Sequence, residues 1–125
     1  MKTIGSALAN VGGFALAILN QPQITLPGKI VCAYTEETTA AKLLQDWAEV
    51  TGNRATYVKC ALDAYSDIWP DWGMEMGSMM KMWDELREKS WPETGVLNWD
   101  DLGIRGERWG SAKDAYQEMD WKAIL

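Results

Sequence analysis

With 125 residues, 47% of them apolar, the chain has the composition of an ordinary folded domain and not of a disordered segment. A net charge of −6 with no basic run gives no electrostatic footprint for nucleic acid or an anionic membrane, and no apolar run is long enough to span a bilayer. Histidine is missing, which excludes Ser-His-Asp and Cys-His nucleophilic sites and His-ligated metals; no metal is expected, and acid–base chemistry falls to Asp, Glu, Lys, Tyr or Cys.

The spacing of Ala7, Leu8, Val11, Phe14, Ala15, Ile18 and Leu19 predicts a helix over residues 7–19 with those side chains on one buried face, stopped by Asn20 and Pro22. Gly12 and Gly13 each weaken such a helix by up to about 1 kcal/mol relative to Ala, unless close packing requires them. The same stretch is short and Gly-interrupted, and it lacks the charged start and cleavage site of a secretory signal.

Pro27-Gly28 predicts a turn and residues 29–34 a short strand whose near-continuous apolar content suits cover on both faces. Thr35-Glu36-Glu37-Thr38-Thr39 supplies caps and early-turn acids for a second amphipathic helix. Ala40, Leu43, Leu44, Trp47 and Ala48 share one side of it, and Gly52 stands where a left-handed cap belongs. Residues 55–60 read as a second strand. Strand, helix, strand with short joins predicts a parallel crossover unit, and a two-stranded sheet with unpaired edges predicts a homodimer or larger assembly, a partner chain, or a further element of this chain that covers the edge. Cys32 and Cys60 fall in the two strand-like runs, so both are expected as buried, reduced thiols of a cytoplasmic protein.

Residues 62–69 predict a helix broken at Pro70, and residues 71–88 a longer one with the stripe Trp72, Met76, Met79, Met80, Trp83 and Leu86. Five of the seven methionines fall between Met74 and Met82, and Gly73 and Gly77 stand one turn apart, where a ligand or neighbouring backbone could approach closely. Eight tryptophans are many for so short a chain, and some are expected to line a pocket or interface. The candidate ligand surface is therefore Trp69, Trp72, Met76, Met79, Met80 and Trp83, balanced against a plain core stripe. Asp67, Asp71 and Glu75 are candidate acid–base groups and Tyr65 a candidate hydrogen-bond donor, balanced against a solvated face. Beyond Trp91-Pro92 the chain loosens. Asn98-Trp99-Asp100-Asp101 then reads as a capped turn, Leu102-Gly103-Ile104 as a stop, and residues 111–119 as a last helix turning Ala112, Ala115, Tyr116 and Met119 inward.

The run Lys29-Ile-Val-Cys-Ala-Tyr-Thr-Glu-Glu-Thr-Thr, then Leu43-Leu-Gln-Asp-Trp-Ala-Glu-Val-Thr-Gly52, resembles the fungal branch of the NmrA-like family. So do Trp69-Pro-Asp-Trp-Gly-Met-Glu-Met-Gly77, Asp100-Asp-Leu-Gly-Ile104, Asp120-Trp121 and the opening Ala9-Asn-Val-Gly-Gly-Phe. The resemblance keeps its order over nearly the whole chain. It implies an atypical short-chain dehydrogenase/reductase relative with NADP as the cofactor of full-length members. It also implies a helix-rich α/β fold: residues 1–60 form a helix plus βαβ unit and residues 61–125 a helical substrate-side lobe, together one truncated domain.

The family's glycine-rich strand-to-helix turn has no match. Gly12-Gly13 is a pair inside a helix pattern with no preceding strand and no G-x-G-x-x-G spacing, so this chain alone is expected to bind no dinucleotide, and no family catalytic residue carries over to a position here. Three functions follow. The first is an NmrA-like oxidoreductase-family protein of fungal secondary metabolism that relies on a partner for its nucleotide half. The second is a cofactor-free cyclase, isomerase or dehydratase acting on an apolar intermediate, and the third a non-enzymatic binding or regulatory module or inert remnant.

Overall fold

A computed structural model describes residues 1–90, 95–106 and 108–123, so the stretch at Trp91-Pro92 lies outside the described residues. The fold is helix-rich α/β, with six α-helices and two two-stranded sheets among the described residues. The chain divides into two units. Residues 1–56 and 94–125 form the first and residues 57–93 the second. This grouping differs from the expected 1–60 and 61–125, because residues 94–125 return to the first unit.

In the first unit, β1 (Lys2–Thr3) leads into α1 (Ala7–Asn20), whose N-cap Ser6 accepts the Ala9 backbone N–H. A short α2 (Pro22–Thr25) follows, with Pro22 in the first turn, where its missing N–H costs nothing. The turn at Pro27-Gly28 delivers β2 (Ile30–Val31), and β3 (Glu36–Glu37) pairs antiparallel with β1. Then come α3 (Ala40–Thr51), β4 (Val96–Leu97) and α6 (Ala112–Glu118). Helix α3 follows expectation at both ends: Thr39 accepts the Lys42 N–H, and Gly52 closes it at φ 72°.

Two expectations for this unit fail. Residues 55–60 form no strand. The parallel partner of β2 is β4, in the register Ile30–Val96 and Val31–Leu97, extended by the Cys32 N–H donating to the Leu97 carbonyl at 2.8 Å. The join is therefore long, passing through α3 and the whole second unit. With no strand to bury it, Cys60 is exposed, Cys32 is half-buried, and both are free thiols. Strand β2 is covered on one side only: Ile30 is exposed while Val31 packs on the core.

The second failure is the buried face of α1. Phe14 (2% exposed) and Ala17 join Leu102 and Ile104 as the core, and Leu8 (88%) and Leu19 (77%) face outward. The helix is turned by Asn10, a fully buried amide whose Nδ2 donates to the carbonyls of Ile4 (2.6 Å) and Gly110 (2.7 Å) and whose Oδ1 accepts the Gly110 N–H (2.9 Å). The two bonds to Gly110 tie residues 100 positions apart, and burying that amide requires such partners.

Helix α6 packs on α3. Its N-cap Ser111 exchanges hydrogen bonds with Asp114 in a full capping box, and Glu36 accepts the Ala112 N–H at 2.8 Å. Trp121 meets Trp47 and Tyr116 edge-on. Burial, followed by the nearby Asp46 and Glu36 carboxylates, pushes the Tyr116 phenol above its ordinary range. Of the four residues expected to turn inward, Ala112 is buried and Ala115 and Tyr116 are half-buried. Met119 caps the helix and stays exposed. The turn at Asn98 forms as expected, with the Asn98 N–H donating to Asp101 Oδ2 at 2.8 Å.

The second unit is a hairpin of α4 (Leu62–Ile68) and α5 (Gly73–Leu86), with a 3-10 turn at Arg87–Ser90. Its two glycines permit close contact of the helices. A Cβ on Gly73 would lie 2.9 Å from Ser66 Cα, and one on Gly77 would lie 3.0 Å from Tyr65 Cδ1. The close approach foreseen for this pair is to a neighbouring helix.

Candidate functional site

Three places in the described residues gather functional side chains. The first is a polar recess of about 370 Å³ bordered by Arg108, Trp109, Gly110, Asp114, Gln117 and Glu118. Three of its groups already serve the fold: Asp114 completes the α6 capping box, Glu118 accepts the Ser6 hydroxyl at 3.3 Å, and Gly110 is gripped by Asn10. The second place lies just past the carboxyl ends of the parallel strands, where open α/β sheets receive ligands. There Tyr34 and Trp99 stand 5.2 Å apart, with Lys2 over one ring and Arg105 over the other, and Arg105 also pairs with Asp100. Both cations are engaged, so this cluster is packing.

The third is an apolar cleft of about 190 Å³ in the helical hairpin, lined by Tyr65, Trp69, Trp72, Gly73 and Met76. Helix α4 supplies Tyr65, the break at Pro70 turns the chain, and α5 begins beneath Trp72. The Gly73 N–H donates to the Trp69 carbonyl at 2.7 Å and the Met76 N–H to that of Trp72 at 3.0 Å, so backbone bonds space the lining residues. Trp69 is 52% exposed and Trp72 59%, and each therefore offers ring surface to a ligand.

Of the candidate ligand-contacting residues, the structure brings together Trp69, Trp72 and Met76, joined by Tyr65. Met79, Met80 and Trp83 lie further along α5 and do not line the cleft; Met79 and Trp83 are half-buried, and Met80 is exposed. Asp67, Asp71 and Glu75 are exposed, and none lines the cleft. Gly73, expected from sequence only as a point of close backbone approach, also lines the cleft. Its place between Trp72 and the next helical turn was the available signal.

A dinucleotide pyrophosphate does not fit the strand-to-helix turn at Gly5. A short strand, β1, does precede α1, contrary to expectation, and Gly5 at φ 65° stands between them. The space that a Cβ on Gly5 would take is filled by the Gly110 carbonyl oxygen, itself accepting the Ser6 N–H at 3.0 Å. An acceptor oxygen at that position repels an anion. Gly12 and Gly13 lie inside α1, away from its N-terminus. Among the described residues no group of three or more Asp, Glu or Cys is placed to hold a metal ion, and no helix is long and apolar enough to cross a membrane. Set against known proteins, the chain matches no family model, no curated sequence and no solved structure.

Proposed function

We propose that the chain is the substrate-side portion of an NmrA-like, oxidoreductase-family protein of fungal secondary metabolism, acting in the cytoplasm, and that its own task is to bind an apolar small molecule. The supporting observation is the α4–α5 cleft, where Trp69, Trp72 and Met76 present adaptable apolar surface and Tyr65 the one hydroxyl. The resemblance in sequence over residues 9–121 supplies the family. Because Asp67, Asp71 and Glu75 stand outside the cleft, binding is favoured over cofactor-free acid–base catalysis. The nucleotide half, with its NADP, belongs in this reading to a partner chain, since the turn at Gly5 opposes a phosphate.

The test is a fluorescence titration of the whole chain with a neutral single-ring probe such as toluene, read on tryptophan. Saturable quenching that Trp69→Ala weakens about tenfold, with the circular dichroism spectrum unchanged, is the expected result; loss of one aromatic contact of this kind is worth about 1 kcal/mol or more. Quenching that Trp69→Ala and Met76→Ala leave untouched removes the cleft from the account. A parallel titration with NADPH is expected to give no saturation, and saturable binding by the chain alone would overturn the assignment of the nucleotide to a partner.

A further inference from the structure

The cleft's shape and surroundings narrow its ligand further. At about 190 Å³ it holds one six-membered ring or one small globular group and not a whole drug-sized molecule, since a dry cavity of ~150 Å³ already accepts benzene. Its walls are two indoles, a phenol and a thioether, all of which present electron-rich faces or lone pairs and no formal charge.

Along the chain, the charges beside the lining residues are of one sign. From Ala61 to Met80 the chain carries Asp63, Asp67, Asp71 and Glu75, all exposed, and no Lys or Arg. The lysines of this unit on either side of that stretch are drawn to the far part of α5: Lys59 pairs with Asp84 at 3.5 Å and Lys81 with Glu85 at 3.8 Å. Asp84 lies eight residues beyond Met76, about 12 Å along the helix. Lys81, five residues beyond Met76 and about 7.5 Å along the helix, is turned to Glu85, so Asp63, Asp67, Asp71 and Glu75 have no ion-pair partner among the described residues.

Electron-rich walls under a negative rim select for a cation. Resting on the reading of the cleft as a ligand site, we propose that it receives a protonated or quaternary amine borne on an apolar body, with the onium group against Trp69 and Trp72 and the acidic rim drawing it in. Neutral aromatics would use the same walls without the electrostatic gain, and carboxylates or phosphates would meet repulsion at the mouth.

Three probes of nearly equal size decide this: benzyltrimethylammonium, its neutral isostere neopentylbenzene, and phenylacetate. Tryptophan quenching of the whole chain at low salt is expected to rank them cation, neutral, anion, with the cation about tenfold tighter than the neutral. Raising the salt to 0.5 M should cut that preference severalfold. The double variant Asp71→Asn/Glu75→Gln, whose exposed side chains leave the fold intact, should cut it likewise while leaving neopentylbenzene affinity unchanged. Equal binding of cation and neutral isostere, or a preference that neither salt nor the double variant moves, overturns the charge selection and leaves the cleft standing. Binding of none of the three overturns both.

Discussion

Gly12 and Gly13 are adjacent in α1 and have opposite reasons to be glycine. A Cβ on Gly12 would meet nothing within 4 Å, whereas one on Gly13 would lie 2.7 Å from Trp109 Cζ3. That indole cannot yield easily: it stacks on Phe14 at 5.0 Å, and its Nε1–H donates to the Ile104 carbonyl at 3.2 Å. Gly12→Ala is therefore expected to stabilise by up to about 1 kcal/mol through helix propensity and a less flexible unfolded chain. Gly13→Ala should destabilise by roughly 1–3 kcal/mol through overpacking. Urea denaturation of the two variants checks this, and a destabilised Gly12→Ala would contradict the open surface seen there. From sequence, the cost of both glycines was legible. Which of the two is needed was not, because Trp109 arrives from nearly a hundred residues away.

The elements were most legible where their ends are written in local chemistry. Thr39, Gly52, Ser111 and Asn98 mark boundaries through hydrogen bonds spanning a few residues, and such bonds depend on little else. The face of α1 was not legible: its 14 residues carry no charge, so periodicity had no polar side to exclude, and Asn10, the residue that fixes the rotation, looks from sequence like a solvent-facing position. The contact of α3 with α6 carries a pH dependence of its own. Hydrogen bonds from the Ser111 backbone N–H and then its hydroxyl hold the Asp114 carboxyl below its ordinary value, and the Lys113 ammonium, then Gln45, does the same for Glu49.

Groups with depressed values in the folded state add stability above the ordinary carboxylate range and lose it as the pH falls through the folded value. Lys113, raised chiefly by its hydrogen bond to Glu49, adds stability below its ordinary 10.5 and loses it at higher pH. Thermal midpoints are thus expected to fall as the pH drops below about 5, and to fall less steeply in Asp114→Asn and Glu49→Gln. An unchanged acid limb in both variants would show that these surface contacts hold nothing together.

At the scale of the whole molecule, the parallel pair was foreseen but its partner was not. Thr56-Tyr57-Val58 has the composition of a strand, whereas Val96–Leu97 offers two apolar residues after a glycine, yet β2 pairs with the latter. Strand choice is set by what covers the pair, here the core of Phe14, Leu102 and Ile104, and that core is assembled from both ends of the chain. Helices α4 and α5 are thereby left to the second unit, a hairpin with a different character. In α4 and α5 the one buried residue among those described is Gly73, so little apolar surface holds the two helices together, whereas α1 is fixed by Phe14, Ala17 and Asn10.

Segments with few buried contacts open at low free-energy cost, and ligand-binding elements are drawn from them. Amide hydrogen exchange is therefore expected to be slow around Phe14 and Ala17 and much faster across Gly73–Leu86. Benzyltrimethylammonium at a hundred times its dissociation constant should then slow the hairpin amides up to about a hundredfold, by mass action on the closed form, while leaving α1 unchanged. Equal protection of α1 and α5 in the free protein would mean that the hairpin is held by more than the contacts described. Slowing confined to α1 would place the ligand away from Trp69 and Trp72 altogether.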